Sequence, residues 1–241
     1  MRPRDVIYFD FAATTPLDER VLQIMQPYWN EAFGNPSSIH AYGQTAEATL
    51  DDARQLSAAF LNARPAEILF TSGGTESDNL ALRGVALARR AQTGADTLLI
   101  SPVEHPAVTQ TARQLVDVFG FKLKFLPTDC YGQVEAQSVE AELCDGTALV
   151  SVIYANNEIG SINPIAEIGA ICRQRNIPFH SDAVQAAATR SPSLLGRPHC
   201  TERALAVPSG ARGSLPADGA IGDREKQAKA PVLRRVRDTE G

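Results

Sequence analysis

Ile68-Leu-Phe-Thr-Ser-Gly-Gly-Thr-Glu-Ser-Asp-Asn-Leu80 is the stretch on which the reading of this chain turns. Ile68 to Phe70 predict a short strand, Gly73 and Gly74 a turn, and the residues from Thr75 a helix. A strand feeding a glycine-rich turn and a helix N-terminus gathers orphan backbone N–H groups at one spot, where the helix dipole also favours negative charge. Gly73 and Gly74 let the backbone come close, and the hydroxyls of Ser72 and Thr75 add donors without adding charge. The stretch therefore reads as a phosphate cup. The plainer alternative is an ordinary strand–turn–helix junction with Thr75 as its cap. It is neither a Walker loop, which needs Gly-Lys-Ser/Thr, nor a GxGxxG dinucleotide turn.

On the N-terminal side, Val6-Ile-Tyr-Phe9 predicts a strand, and Thr15-Pro16-Leu17-Asp18 a helix start with Thr15 as cap. Val21, Ile24, Met25 and Tyr28 then share one helical face, and Gly34-Asn-Pro-Ser-Ser38 ends that helix. A second helix carries Ala46, Leu50, Ala53 and Phe60 and closes at Arg64-Pro65. On the C-terminal side, Thr97 to Ser101 is a strand and Val108, Ala112, Leu115, Val116 and Phe119 mark an amphipathic helix. Phe121 to Phe125 alternates as a half-exposed strand does. After a short helix near Val139 to Leu143, Ala148 to Tyr154 is apolar throughout, as in a strand covered on both faces. Asn163-Pro164 starts a helix with Ile165, Ile168 and Ile171, and Ile177 to Ser181 is the last strand. This alternation predicts an α/β fold, a largely parallel sheet with flanking helices.

Composition bounds the function classes. The 241 residues are 44% hydrophobic and 21% charged, which suits a soluble globular protein with a real core. Met1-Arg-Pro-Arg-Asp5 leads straight into the first strand without a signal-peptide apolar region, so a cytoplasmic location is expected. No apolar run reaches membrane-span length, and a net charge of -5 gives no reason to expect a nucleic-acid or membrane partner. The cysteines Cys130, Cys144, Cys172 and Cys200 are scattered, so neither a metal site nor a disulfide framework is expected.

In a parallel sheet, ligands gather beyond the carboxyl ends of the strands. Four such ends carry suggestive residues: Gly74-Thr75, His105, Asn157, and Asp182 with Gln185. They offer a phosphate site, a flat ring, an amide, and an acid with a neighbouring amide. A pyridine ring bearing a phosphate would use all of them, the aspartate keeping the ring nitrogen protonated so that the ring can accept electrons. Each also has a plainer reading: His105 bonding a backbone carbonyl, Asp182 an N-cap, Asn157 satisfying its own turn. His40 and His180 have no evident partner and read as structural.

Six motifs in register then resemble the cysteine desulfurases, pyridoxal-phosphate enzymes of the class-V aminotransferase group. They are Tyr8-Phe-Asp-Phe-Ala-Ala-Thr-Thr-Pro16, Gly34-Asn-Pro-Ser-Ser38, Thr71-Ser-Gly-Gly-Thr-Glu-Ser77, Val103-Glu-His-Pro-Ala-Val108, Ala155-Asn-Asn-Glu-Ile-Gly160 and His180-Ser-Asp-Ala-Val-Gln185. The resemblance covers residues 6–187 and leans toward the nitrogen-fixation type. It implies pyridoxal 5'-phosphate as cofactor and the large domain of a fold-type-I enzyme, here truncated before its end. Gly74 and Thr75 would hold the phosphate, His105 would stack on the ring, and Asn157 and Gln185 would bond near the ring oxygen. Asp182 would pair with the ring nitrogen. The implied substrate is L-cysteine, converted to L-alanine while its sulfur passes as an enzyme persulfide to an iron–sulfur scaffold protein. Family active sites lie at a homodimer interface.

The resemblance stops near Ala187. The family's His-Lys segment, persulfide loop and substrate-carboxylate arginine have no match in Thr189-Arg-Ser-Pro-Ser-Leu-Leu-Gly-Arg-Pro-His-Cys200, and Lys226 and Lys229 lack that context. No catalytic residue is therefore assigned. Residues 188–241 hold no aromatic residue, few aliphatics and an excess of Arg and Pro, which predicts a disordered tail unrelated to the domain before it. Out-of-frame reading of a GC-rich gene and a genuine alternative C-terminus both fit that composition. The alternatives to a desulfurase are an inactive fragment with weak cofactor or partner binding, and a selenocysteine lyase or related class-V aminotransferase.

Overall fold

The computed structural model describes residues 7–187 and 203–206. Its elements are α1 (Glu19–Met25), α2 (Pro27–Asn30), α3 (Ala41–Leu61), a 3-10 turn (Pro65–Glu67), α4 (Gly74–Thr93), β1 (Thr97–Ile100), α5 (Pro106–Phe119), β2 (Lys122–Phe125), α6 (Ala136–Glu142), β3 (Thr147–Ser151), α7 (Ile165–Gln174), β4 (Phe179–Asp182) and β5 (Arg203–Ala206). The strands form one sheet in the order β2-β1-β3-β4-β5, and every pair is parallel. Parallel neighbours need crossover connections, and α5, α6 and α7 supply three of them. From β1 the chain moves to β2 on one side, then returns to β3 on the other. Such a reversal opens a crevice between the carboxyl ends of β1 and β3.

Strand periodicity distributes the core over both faces. Leu98, Ile100 and Leu149 pack with Leu82 and Ala86 of α4 and with Val108, Ala112 and Leu115 of α5. Leu99, Val150 and Val152 face the opposite way, onto Val139 of α6 and Ile168 and Cys172 of α7. Two helix layers therefore enclose the sheet, and all of β3 is buried, as its unbroken apolar run predicts. Glycines in the left-handed region stop α4 at Gly94 (φ 79°) and α5 at Gly120 (φ 69°), where other residues are strained.

Two expected strands do not form. Ile7–Phe9 and Ile68–Phe70 are irregular, and Leu69 is 67% exposed. A strand exists only through its ladder, and among the described residues neither segment has a strand beside it. The first helix also starts later than expected. Asp18, not Thr15, is its cap, accepting from Arg20 N–H at 2.9 Å while the Arg20 guanidinium pairs with the same carboxylate. A break at Gln26 divides the expected face between α1 and α2, and neither helix buries a residue. Of residues 188–241, only 203–206 are described, as β5 beside β4; the rest of the expected tail lies outside the described residues.

Candidate functional site

The parallel pairing of β3 and β4 runs on past the regular strands. Val152 N–H donates to the His180 carbonyl at 3.1 Å and Tyr154 N–H to the Asp182 carbonyl at 2.9 Å. These bonds set Asp182 beside the chain that leaves β3 and leads to Asn157. Asn156 anchors that loop: its Oδ1 accepts from Glu158 and Ile159 N–H, and its Nδ2 donates to the Val103 carbonyl at 2.8 Å. The β3 loop is thereby tied to the β1 loop that carries His105. Asn156 thus satisfies the turn that the sequence reading gave to Asn157, which is half-buried.

His105 is the N-cap of α5. Its Nδ1 accepts from Ala107 N–H at 3.1 Å, and the ring remains exposed. It therefore caps through a ring nitrogen, where the plainer reading had it bond a backbone carbonyl. Thr75, Asn79 and Arg83 of α4 and His105, Gln110 and Gln114 are among the residues lining an open groove of about 500 Å³ between α4 and α5.

The glycine-rich turn closes onto the end of β4. A Cβ built on Gly74 would stand 2.8 Å from Val184 Cγ2, so the bare backbone lets α4 begin directly against the residues after Asp182. The N-cap is Gly73 and no side chain caps the helix, so Thr75 is not the cap. Ser72, expected as a free donor, gives both its N–H and its hydroxyl to Glu76, at 2.7 and 2.6 Å. Those bonds, the hydroxyl's first, hold the Glu76 carboxyl below its usual range. The donors left to an anion are the first-turn N–H groups and the Thr75 hydroxyl.

Ligand atoms of Asp78, His105 and Asp182 lie within 4.8 Å of one another. Asp182 Oδ1 accepts from Val184 N–H at 2.9 Å. Burial, and then the charge of Asp78, raises the Asp182 pKa, against the pull of that N–H and of the two histidines. Two carboxylates this close favour a shared proton or a cation between them. Gln185 turns toward the N-terminal segment, its Nε2 donating to the Ala12 carbonyl at 3.2 Å.

Behind Asp182 lies a buried chain that the sequence reading missed. Ser151 Oγ is 2.9 Å from His180 Nδ1 and 3.2 Å from Glu104 Oε1, and His180 Nε2 is 3.3 Å from Asp78 Oδ1. Burial, reinforced by the charge of Asp182, pushes the Glu104 carboxyl well above its ordinary range. The signal was available in part, because His180 and Asp182 are two apart on one strand and so share a face. His40, which the sequence reading also left as structural, caps α3 by accepting from Gly43 N–H at 3.4 Å.

The uncapped N-terminus of α4, an imidazole and a buried carboxylate thus meet at the strand ends of a parallel sheet covered on both faces. The aminotransferase class-V family model matches residues 7–194, and the chain belongs to that family. Within it, the chain is 46% identical over 180 residues to the cysteine desulfurase IscS of Methanosarcina thermophila, covering 75% of this chain and 44% of the relative. It is 46% identical over 187 residues to the cysteine desulfurase IscS of Neisseria gonorrhoeae, covering 77% and 46%. The solved structure of SspA in complex with cysteine aligns at a TM-score of 0.70 and 37% identity, over 75% of this chain and 51% of that one. The chain thus spans less than half the length of these two curated relatives. Among the described residues, no helix is long and apolar enough to cross a membrane.

Proposed function

We propose that this chain is the cofactor-holding segment of a cysteine desulfurase that uses pyridoxal 5'-phosphate. The observation that carries the proposal is the convergence of the α4 N-terminus, His105 and the buried Asp182 carboxylate at the reversal point of the sheet. The residues present fit the group: the Gly74 turn leaves first-turn N–H groups without a side-chain cap, and paired carboxylates await a protonated nitrogen. In this reading Gly74 and Thr75 take the phosphate, His105 covers the ring, and Asp182 accepts its N–H. Asn157 and Gln185 serve the ring oxygen, which requires Gln185 to leave Ala12. When bound, the ring supplies an electron sink for the amino-acid substrate.

The substrate proposed is L-cysteine, giving L-alanine and a sulfur carried as a persulfide to an iron–sulfur scaffold protein, in a homodimer. A second reading is favoured by the lysines: the chain itself holds the cofactor without turnover. Lys122 and Lys124 are on β2, at the edge of the sheet remote from β4, and are paired with Asp96 and Glu142. Lys226 and Lys229 lie outside the described residues.

One experiment tests both. The purified chain, loaded with pyridoxal 5'-phosphate, is reduced with borohydride, digested and analysed by mass, and is assayed in parallel for alanine from cysteine. Saturable cofactor binding without a lysine adduct and without alanine is expected of the chain alone. A single defined adduct with alanine production overturns the second reading, and absence of cofactor binding overturns the first.

A further inference from the structure

Asp78 Oδ1 and His180 Nε2 are buried 3.3 Å apart, and neither has a hydrogen-bond partner. Buried polar atoms are seldom left unmet, and a carboxylate oxygen beside an imidazole nitrogen is a pair that one small cation satisfies. Asp78 is also one of three residues, with His105 and Asp182, whose ligand atoms lie within 4.8 Å of one another. We propose that Asp78, Asp182, His105 and His180 form a site for a divalent transition-metal ion of the zinc class. The site uses none of the cysteines, whose scatter led the sequence reading to expect no metal site.

Two carboxylates and two imidazoles suit zinc or cobalt, whereas calcium and magnesium take oxygen ligands. Bonds of about 2.0–2.2 Å set the ligand atoms of a tetrahedral ion roughly 3.3 Å apart. Asp78 Oδ1 and His180 Nε2 already have that separation. His180 and Asp182 share a face of β4, and the exposed His105 ring can draw in toward them. A ligating imidazole gives the hydrogen of its other ring nitrogen to a neighbour. For His180 that neighbour is Ser151 Oγ, 2.9 Å from Nδ1, which can pass its own hydrogen to Glu104 Oε1 at 3.2 Å. His105 must change its partner, because its Nδ1 accepts from Ala107 N–H at 3.1 Å. An ion on Nδ1 displaces that N–H, and an ion on Nε2 puts a hydrogen on Nδ1, so either way the cap is released. Charge also favours the ion: Asp78, Asp182 and Glu104 act on one another as buried like charges, which a dication offsets.

The site stands apart from the cofactor reading and competes with it, since both use His105 and Asp182. It is tested on the whole chain, freed of metal with a chelator and without cofactor, by titration with cobalt(II) followed by visible absorption. One equivalent is expected to bind, with the bands of tetrahedral nitrogen–oxygen ligation, and zinc is expected to displace it. His105→Ser removes the ring but keeps a capping side chain, and is expected to bind at least about tenfold more weakly. Asp78→Asn is expected to do the same. Replacing Cys130, Cys144 and Cys200 by Ser is expected to leave spectrum and affinity as they are. No binding, several weak equivalents, a spectrum lost with the cysteines, or unchanged affinity in His105→Ser overturns the site. If Asp78→Asn does not fold, His105→Ser, at an exposed position, still decides.

Amide NMR of the zinc-loaded chain supplies a readout specific to ligation by His105. The Ala107 N–H is expected to lose its bond to the ring and to shift, and an unmoved Ala107 resonance overturns that ligand. Equilibrium dialysis tests the competition. With free zinc at about ten times its Kd, the apparent affinity for pyridoxal 5'-phosphate is expected to fall about tenfold. Equal affinities with and without zinc overturn the shared site. Absence of cofactor binding in the metal-free chain overturns the cofactor reading instead, and the cobalt titration then decides by itself.

Discussion

A Cβ on Gly74 would come within 2.8 Å of Val184 Cγ2, closer than real contacts allow. Gly74 opens α4 at the glycine-rich turn, and Val184 follows Asp182 by two residues, so this one contact joins that turn to the acid end of the site. Val184 has a branched Cβ, which restricts its χ1, so it cannot easily swing aside.

Gly74→Ala is therefore expected to push α4 away from β4, to lose about 1–3 kcal/mol of stability through overpacking, and to weaken cofactor binding. Gly74→Ala with Val184→Ala restores the space and is expected to recover most of both. Urea unfolding and dialysis of the single and double variants check this. A double variant no better than the single one means that Val184 is not the obstacle.

Glu104 gives a pH dependence whose sign follows from its raised pKa. The folded state keeps a proton that the unfolded chain releases above the ordinary carboxylate value, about 4.3. The associated stability is fully present below that value and is lost as pH rises through the folded one. Glu104→Gln cannot lose a proton, so its stability is expected to fall less over the same pH interval. Urea midpoints measured from pH 4 upward decide; parallel curves for the two proteins contradict the assignment.

The two faces of the sheet differ from the N-terminal helices in what a truncation costs. Ile168 is fully buried among Leu99, Val150 and Val139, whereas Leu56 on α3 is 73% exposed. Ile168→Ala is expected to cost about 2–5 kcal/mol, and Leu56→Ala to stay within about 0.5 kcal/mol. Denaturation of both variants under one set of conditions checks the contrast. A large loss at Leu56 would show that α3 covers a surface with something beyond the described residues.

Much of the sheet was legible because its signals are local. Leu98 and Ile100 against Leu99 give the period of two, and Val108, Ala112 and Leu115 the helical period, whatever lies elsewhere. Ile7–Phe9 and Ile68–Phe70 look the same locally, but a strand is made by its neighbour, and a neighbour is not a local property. The site divided similarly. His105 and Asp182 were legible from their place at strand ends. Glu104 and His180 are joined only through Ser151, 47 and 29 residues away, pairs that only the folded register brings together. Asn156 was hidden beside Asn157, since nothing in two consecutive asparagines says which one turns inward.

The central claim is that Asp182 holds the nitrogen of a phosphorylated pyridine ring at this site. Its most direct test is the affinity of the purified chain for pyridoxal 5'-phosphate, wild type against Asp182→Asn, by equilibrium dialysis at neutral pH. Asn keeps the shape of Asp182 but not its charge, and a hydrogen bond to a charged group is worth about 1.5–3 kcal/mol. The expected result is one saturable site in the wild type, weakened by about tenfold or more in Asp182→Asn, with pyridoxal 5'-phosphate displaced by an excess of its phosphate-bearing analogues. Equal affinities in the two proteins, or no saturable binding in the wild type, would contradict it.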